Sequence, residues 1–473
     1  MTCVDSSGRA TTRVPVVADR NLSLDRTILR LAVPSVLASI SVPLIGLADT
    51  AMVGHLSKVA FLGAVATASI LFDVLFWSAG FLRMGTTSII AHYHGAEDRT
   101  NCTAALYRAL LLAAVLGVVV LLLRGPLSHY GFVLVGGTES VQFWGQRYFD
   151  VRVLGVPLVL ATLALNGFFL GTAYAVGPLL VTVVANAVNV VADYALIFGR
   201  WGAPELGVVG AAWASVAANG VALAVGVLLL LTRYRAYLTM PSWRRLFDPA
   251  RLRHLFDTNI NLLGRTLCLL FAQFSLVALV ARMGEVPLAA HTVVWQLWSL
   301  VSYGVDGFAH AAEALIGGAL GSGRNDRARA YARRILCWGL VIGLCFGLVY
   351  ASGLESLAAL LTTHDEVTAA VGALTILVAV MQPLNAVVFV FDGIFIGAND
   401  MAYMFRAMAV AAFIFFVPTA VVLVVWLDGG LLSVWMAYAA LMIGRALPLG
   451  RRYRTDTWLR TFVRKPDTLS QAS

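Results

Sequence analysis

Long apolar stretches alternate with short polar or glycine-containing connections along almost the whole chain. Each stretch reaches about 20 residues, the length of α-helix that crosses a hydrocarbon core about 30 Å thick. The pattern therefore predicts an all-α polytopic membrane protein with twelve transmembrane helices. The predicted helices cover residues 27–54, 60–92, 105–124, 141–171, 176–199, 206–232, 255–282, 287–320, 333–353, 367–397, 403–427 and 430–450.

Composition and the placement of charge agree with a membrane protein. Of the 473 residues, 60% are hydrophobic and 12% are charged, whereas an average soluble domain carries about 25% charged residues. The net charge of +9 is concentrated after the sixth and eighth predicted helices and in the C-terminal tail. By the positive-inside bias, these segments and both termini are cytoplasmic. This distribution favours a lipid bilayer as partner and no nucleic acid.

The two halves of the chain resemble each other. Asn166-Gly-Phe-Phe-Leu-Gly171 ends the fourth predicted helix, and Asp392-Gly-Ile-Phe-Ile-Gly397 ends the tenth. Ala79-Gly80-Phe81 in the second helix is similarly matched by Asp306-Gly307-Phe308 in the eighth. Matches in order at a nearly constant offset indicate an internal repeat. Six helices per half is an even number, so the repeat is parallel and predicts two pseudo-symmetric six-helix lobes.

The predicted organisation follows from this repeat. A cavity between two such lobes and rocking of one lobe against the other are typical of a carrier that works by alternating access. The predicted parts are a cytoplasmic tail (1–26), an N-lobe (27–235), a cytoplasmic linker (236–250), a C-lobe (251–455) and a second cytoplasmic tail (456–473).

Two aspartates, Asp49 and Asp193, lie in apolar stretches of the first half. A carboxylate near the centre of a membrane helix costs about 2.5–3.5 kcal/mol on insertion scales, so its default interpretation is an ion or proton site. Asn189 precedes Asp193 by one helical turn and shares its face. Two neighbouring carboxylates in low dielectric cannot both ionise cheaply, so they would bind a proton, or a sodium ion together with Asn189. A purely structural hydrogen-bond network is the alternative.

Further polar residues lie at membrane depth in other predicted helices. In the second half these are Asp306, Glu313 and Asp392, and Asn166 takes the position of Asp392 in the first half. They are candidates for a substrate cavity or for secondary acidic sites, and a buried structural network is an equal alternative. Arg265 on the seventh helix is a candidate partner for one of the acids.

The first helix contains residues that weaken a helix, and we expect it to bend there when the charge of Asp49 changes. These hinge candidates are Pro34, Pro43 and Gly46.

Three of these motifs carry a resemblance to a known family. Leu31-Ala-Val-Pro34 followed by Gly46-Leu-Ala-Asp49-Thr-Ala-Met-Val-Gly54 resembles the first helix of multidrug and toxic compound extrusion (MATE) transporters. The stretches that begin at Tyr303 and at Asn186 are similar to the eighth and fifth helices of the DinF-like subfamily, namely Tyr303-Gly-Val-Asp306-Gly-Phe-Ala-His-Ala-Ala-Glu313 and Asn186-Ala-Val-Asn189-Val-Val-Ala-Asp193-Tyr.

The resemblance implies a fold, an activity and a site. The fold is two six-helix lobes, and the activity is export of small organic compounds, cationic or amphiphilic, in exchange for protons or sodium ions. The protein would be a monomer in a bacterial inner membrane, with no cofactor beyond the coupling ion and no metal beyond that sodium ion. The implied cation-coupling residues are Asp49, Tyr148, Asn189, Asp193 and, as the nearby hydroxyl on the sixth helix, Ser215.

Two other functions remain open at this point. A flippase for lipid-linked precursors would need a strongly basic cavity, for which Arg83 and Arg265 are the obvious candidates. A membrane sensor that transports nothing would have no use for the intramembrane acids. The chain has no nucleotide-binding glycine loop, no catalytic-triad spacing and no zinc-ligand spacing, so we expect no enzymatic activity.

Overall fold

The computed structural model describes residues 3–4, 10–11, 23–56 and 59–460. Two short strands, β1 (Cys3–Val4) and β2 (Ala10–Thr11), pair antiparallel, with Cys3 opposite Thr11. The rest is helical. Most of the predicted N-terminal tail, 1–26, and residues 461–473 of the predicted C-terminal tail lie outside the described residues.

The chain divides into two compact units. The first unit comprises the residues up to Leu252 together with Gly317–Arg324, and the second comprises Arg253–Ile316 and everything from Asn325 onward.

The first unit is built on six long helical segments, the fourth of which passes from α5 through a 3₁₀ turn (Val153–Gly155) into α6. Its helices are α1 (Leu24–Gly54), α2 (Val59–Gly95), α3 (Arg99–Leu122), α4 (Arg124–Val135), α5 (Glu139–Arg152), α6 (Val156–Gly171), α7 (Val176–Phe198), α8 (Val208–Arg233) and α9 (Trp243–Leu246), with a 3₁₀ turn at Arg235–Tyr237.

The second unit repeats this plan with six long segments. Its helices are α10 (Pro249–Ala281), α11 (Glu285–Gly321), α12 (Asn325–Ala359), α13 (Asp365–Gly372), α14 (Thr375–Gly397), α15 (Met401–Val410), α16 (Val417–Ala420) and α17 (Gly430–Arg454), with π-helical turns at Ala411–Phe416 and Val421–Trp426 and a 3₁₀ turn at Thr457–Arg460. The first residues of α10 and the last residues of α11 belong to the first unit.

The predicted fold class is confirmed. Within the described residues, twelve helical segments have membrane-spanning length, and ten of them are also apolar enough to cross a membrane by length and composition. The other two are α1 and α11, with 31 and 37 residues. Several helices are longer than the apolar stretch that predicted them: α12 begins at Asn325, eight residues before its apolar stretch at 333.

Local sequence explains where several helices begin and end. The side chains of Ser23 and Asp98 accept hydrogen bonds from the backbone N–H groups of Arg26 and Asn101, so they cap α1 and α3. Gly199 ends α7 with φ of 64°, a left-handed conformation that glycine adopts without strain.

The repeated glycine motif forms a close helix contact in each unit. A Cβ on Gly167 would lie 2.7 Å from the carbonyl oxygen of Arg83 on α2. In the second unit, a Cβ on Gly393 would clash with the backbone of Ala309 on α11, and one on Gly397 would lie 2.9 Å from the carbonyl oxygen of Ala312. Small residues allow such close backbone approach between membrane helices. The sequence repeat therefore reflects one packing contact used twice.

Candidate functional site

The first unit brings Asp49 of α1 and Asp193 of α7 together. Their carboxyl groups lie within hydrogen-bonding reach of one another. Asp193 is fully buried, and Asn189, one turn earlier on α7, is 5% exposed. Helices α1 and α7 are held side by side near this pair because the Asn186 side chain donates a 3.1 Å hydrogen bond to the backbone carbonyl of Ser41.

Three of the four carboxyl oxygens of the acidic pair lack a hydrogen-bond donor among the residues that the structure describes. Both carboxyl oxygens of Asp193 and Oδ1 of Asp49 are buried and have no hydrogen-bond partner there, and neither has Nδ2 of Asn189. A buried polar atom without a partner costs about 1–3 kcal/mol, more when it is charged. The pair is therefore suited to receive a positively charged species: a proton held between the two carboxyl groups, or a hard cation bound by carboxylate oxygens.

Tyr148 and Ser215, two further predicted residues, adjoin the pair. Tyr148 is 2% exposed, and its hydroxyl lies within hydrogen-bonding reach of the Ser215 side chain. Asp49 and Asp193 both act electrostatically on Tyr148. Residues of α1, α5, α7 and α8, far apart in sequence, thus converge on one buried polar cluster.

Arg152 is the member of this cluster that sequence reasoning missed. Its Nη1 donates to the Tyr148 hydroxyl at 2.9 Å and to Ser69 Oγ at 3.3 Å. Its guanidinium acts electrostatically on both Asp49 and Asp193 and lies 4.7 Å from the ring centre of Phe72. The spacing of Arg152 could have predicted this role, because an arginine four residues after Tyr148 lies on the same face of the helix.

The hinge candidates lie within α1, which continues without interruption through Pro34 and Pro43. Pro43 has no N–H to donate to the preceding turn. Two residues before this proline, the Ser41 hydroxyl donates a 2.8 Å hydrogen bond to the backbone carbonyl of Ala38. Gly46 is exposed, and a Cβ at this position would meet nothing within 4 Å.

In the second unit, Asp392 of α14 forms ion pairs with two arginines. Arg265 of α10, the predicted candidate, and Arg445 of α17 both bind its Oδ2, Arg445 at 2.6 Å. All three side chains are nearly buried, with 12% exposure for Asp392, 8% for Arg265 and 2% for Arg445. The charged groups that act on Arg445 include this one acid and one other cation, Arg265. Asp392 therefore does not offer a free carboxylate to a cationic substrate.

The remaining predicted polar residues are separate from these two clusters in the contacts described. Asn166 lies on α6, and its Oδ1 is buried without a partner among the described residues. Glu313 on α11 is 2% exposed, its backbone packs against Gly397, and both it and Asp306 take part in polar or electrostatic interactions. The part of the chain that the structure describes holds no group of three or more His, Cys, Asp or Glu able to bind a metal.

Comparison with solved structures identifies the fold of the protein. The chain matches a crystal structure of MATE in complex with MaL6 with a TM-score of 0.82 at 21% identity, over 93% of this chain and 98% of that one. It matches a MOP superfamily transporter from Pyrococcus furiosus with a TM-score of 0.83 at 20% identity, over 93% and 97%. The chain therefore has the fold of these two proteins.

Sequence comparison then gives the family. The MatE family model matches residues 34–195 and, again, residues 262–422, one match in each half of the chain. The chain is 32% identical to DNA damage-inducible protein F of Escherichia coli, over 92% of this chain and 94% of that protein. It is 25% identical to multidrug resistance protein NorM of Vibrio cholerae, over 90% and 94%. The chain belongs to the MatE family, and the predicted resemblance to its DinF-like members is confirmed.

Proposed function

We propose that this protein is a secondary active antiporter that exports small organic compounds in exchange for protons or sodium ions. The proposal rests on the paired carboxyl groups of Asp49 and Asp193, because three of their four oxygens are buried and have no hydrogen-bond partner among the described residues. Two unit charges about 4 Å apart repel by about 4 kcal/mol at the effective dielectric constant near a protein surface. Binding of one cation removes this repulsion, so the pair has a physical reason to bind an ion on one side of the membrane and release it on the other.

Arg152 reduces the negative charge of this site without cancelling it. Its guanidinium acts electrostatically on Asp49, on Asp193 and on a third acid, Asp73 of α2. With these acids ionised, the group carries an excess of negative charge, which a bound proton or sodium ion would reduce. One charge crossing 100 mV provides about 2.3 kcal/mol, enough for a concentration ratio of a few tens.

Helix α1 connects ion binding to a change of shape. It carries Asp49 together with the helix-weakening residues Pro34 and Pro43, and it is attached to α7 through Asn186. Neutralising Asp49 changes the attraction between α1 and its neighbours, and a helix that contains prolines bends most easily at them. Alternation between two such shapes would expose the ion site to each side of the membrane in turn.

Orientation and substrate class follow from charge and from the relatives. Arginines in the last turns of α8, α9 and α17 support a cytoplasmic linker and C-terminus under the positive-inside bias. We expect a bacterial inner membrane with both termini inside. The Vibrio cholerae relative is named as a multidrug resistance protein, and we expect organic compounds as substrates of this chain as well, with the protein acting as a monomer.

Transport in reconstituted liposomes tests the proposal. A fluorescent organic cation is followed under a pH gradient, or under a sodium gradient at equal pH, for the wild type, Asp49→Asn and Asp193→Asn. Each asparagine keeps the shape of the side chain but removes the charge that the ion neutralises. We expect gradient-driven transport to be lost in both variants, and the effective gradient to identify the ion.

A matched control separates this role from a general effect of removing an acid. Asp150 is exposed on α5, two residues from Arg152, so Asp150→Asn is expected to transport like the wild type. Full gradient-driven transport in both Asp49→Asn and Asp193→Asn would contradict the proposed coupling site. Wild-type protein that moves no organic cation or anion under any gradient would contradict antiport itself.

A further inference from the structure

The second unit contains a cavity of about 670 Å³ at the basic end of α17. One stripe of α17, from Leu447 through Gly450 to Arg454, forms one side of it, and Tyr403 of α15 and Phe415 form the other. We infer that this cavity binds an anionic phospholipid, with its headgroup at Arg451 and Arg454 and an acyl chain along the apolar side chains. This inference is independent of the proposed coupling site, which lies in the other unit.

The two arginines at the mouth of the cavity are free to bind an anion. Arg451 and Arg454 are exposed, and their side chains form no ion pair or hydrogen bond with the residues that the structure describes. Other arginines close by are already paired: Arg452 binds Asp400 at 2.8 Å, and Arg329 binds Asp456 at 3.1 Å. The free positive charge at this end of the helix is thus concentrated where the cavity opens.

The walls of the cavity favour a lipid over a soluble anion. Phe415, Leu447 and Pro448 line it, and Leu447 is 59% exposed. The Tyr403 hydroxyl is turned to the Pro448 carbonyl at 3.0 Å, so it does not add a polar group to the interior. Because α17 is a membrane-spanning helix that ends in three arginines, the cavity lies where a phosphate and an acyl chain meet.

The C-terminal residues of the same chain are a poorer match for the cavity. Residues 461–473 carry Arg464 and Lys465 against a single acid, Asp467. Their net charge has the same sign as the two arginines at the mouth. A negatively charged headgroup has the complementary sign, and it is always present in the membrane that surrounds the protein.

Native mass spectrometry of the purified full-length protein tests the inference. The protein in detergent is titrated with phosphatidylglycerol or with phosphatidylcholine of the same acyl chains, and retained lipid is counted. We expect one phosphatidylglycerol to bind in preference to phosphatidylcholine. Arg451→Gln/Arg454→Gln is expected to bind it about 30-fold more weakly, the effect of two arginines against an anionic headgroup.

A second variant tests the cavity without changing its charge. A Cβ on Gly450 would meet nothing within 4 Å, so Gly450→Leu projects a side chain into the cavity without a backbone clash and also favours the helix. It is expected to weaken phosphatidylglycerol binding while the melting temperature of the lipid-free protein stays at or above that of the wild type. The control, Arg244→Gln/Arg253→Gln, removes two exposed arginines outside the cavity and should bind lipid like the wild type.

Several outcomes would overturn the inference. Equal binding of the two lipids, or unchanged binding in both cavity variants, would exclude a specific anionic-lipid site. Displacement of the lipid by millimolar inorganic phosphate would show that the site takes a free phosphate and that its apolar walls add nothing. Lipid binding that appears only in a variant ending at residue 460 would show that the C-terminal residues occupy the cavity.

Discussion

Replacing Asp392 by asparagine tests whether the cluster of Arg265, Asp392 and Arg445 stabilises the folded protein. Removing one partner from a buried ion pair costs about 3–5 kcal/mol because a buried charge is left uncompensated. Asp392→Asn leaves two such charges, since both arginines bind the same carboxylate oxygen. We therefore expect a loss at the upper end of this range. The substitution keeps the side-chain shape, so the loss is electrostatic rather than steric.

The matching substitution of one arginine is expected to cost much less. Arg265→Gln leaves Asp392 and Arg445 as a one-to-one pair 2.6 Å apart. It sacrifices one charge-assisted hydrogen bond, worth about 1.5–3 kcal/mol, but it also removes the repulsion between the two guanidinium groups. We expect a net change within about 1 kcal/mol. Asp392→Asn is thus expected to lose more stability than Arg265→Gln, because the cluster contains two cations and one anion.

Reversible unfolding in mixed micelles, followed by far-UV circular dichroism, measures both variants. Arg253→Gln breaks an exposed 3.8 Å pair with Asp257 and is the control with a change near zero. A loss of stability in Asp392→Asn that is no larger than the loss in Arg265→Gln would contradict this reasoning. It would show that the cluster does not contain one more buried cation than anion. If Asp392→Asn keeps full stability and loses transport, Asp392 binds substrate rather than stabilising the fold.

Three further predictions concern other contacts. Gly393→Val should reduce folded yield severalfold in a detergent-extraction assay, because its side chain meets the backbone of α11, whereas Gly46→Val, in open space, should not. Arg152→Gln should slow transport at least tenfold and Arg152→Lys less, since lysine keeps the positive charge beside the acidic pair; equal rates for both variants would contradict a role for that charge. Asn186→Leu should lower unfolding free energy by about 1 kcal/mol through loss of its bond to Ser41, and an unchanged denaturation midpoint would contradict that contribution.

The helices and the acidic pair could be predicted from sequence for the same reason. A helix in lipid must be apolar over most of its length, so each of the twelve segments leaves a long, mostly apolar stretch in the chain. A carboxylate within such a segment stands out because its cost is high, which is how Asp49 and Asp193 were found. Neither inference needs knowledge of which helices are neighbours.

Pairing between helices could not be predicted in the same way. Arg445 lies 53 residues from Asp392 and near the basic C-terminal end, so its charge is hard to tell apart from the topological signal beside it. Arg152 lies at the end of α5, where an arginine also has the ordinary option of reaching the membrane surface. Whether such a residue faces water, lipid or a buried acid depends on the packing of helices that are distant in sequence.

The two buried clusters carry excess charge of opposite sign, so the two halves of the repeat differ in their electrostatics. In the first unit a single arginine, Arg152, acts on three acids, Asp49, Asp73 and Asp193, whereas in the second unit one acid, Asp392, binds two arginines. Excess negative charge in a buried site attracts a proton or a metal cation from solution, whereas the second cluster is already bound to its own counter-ions and gains nothing from a cation. The halves of the repeat thus share a glycine-mediated helix contact but differ in their charges, and of these two clusters the acidic one in the first unit is suited to respond to a cation gradient. We therefore expect ion coupling to depend on charge placement within the first unit rather than on the repeated fold.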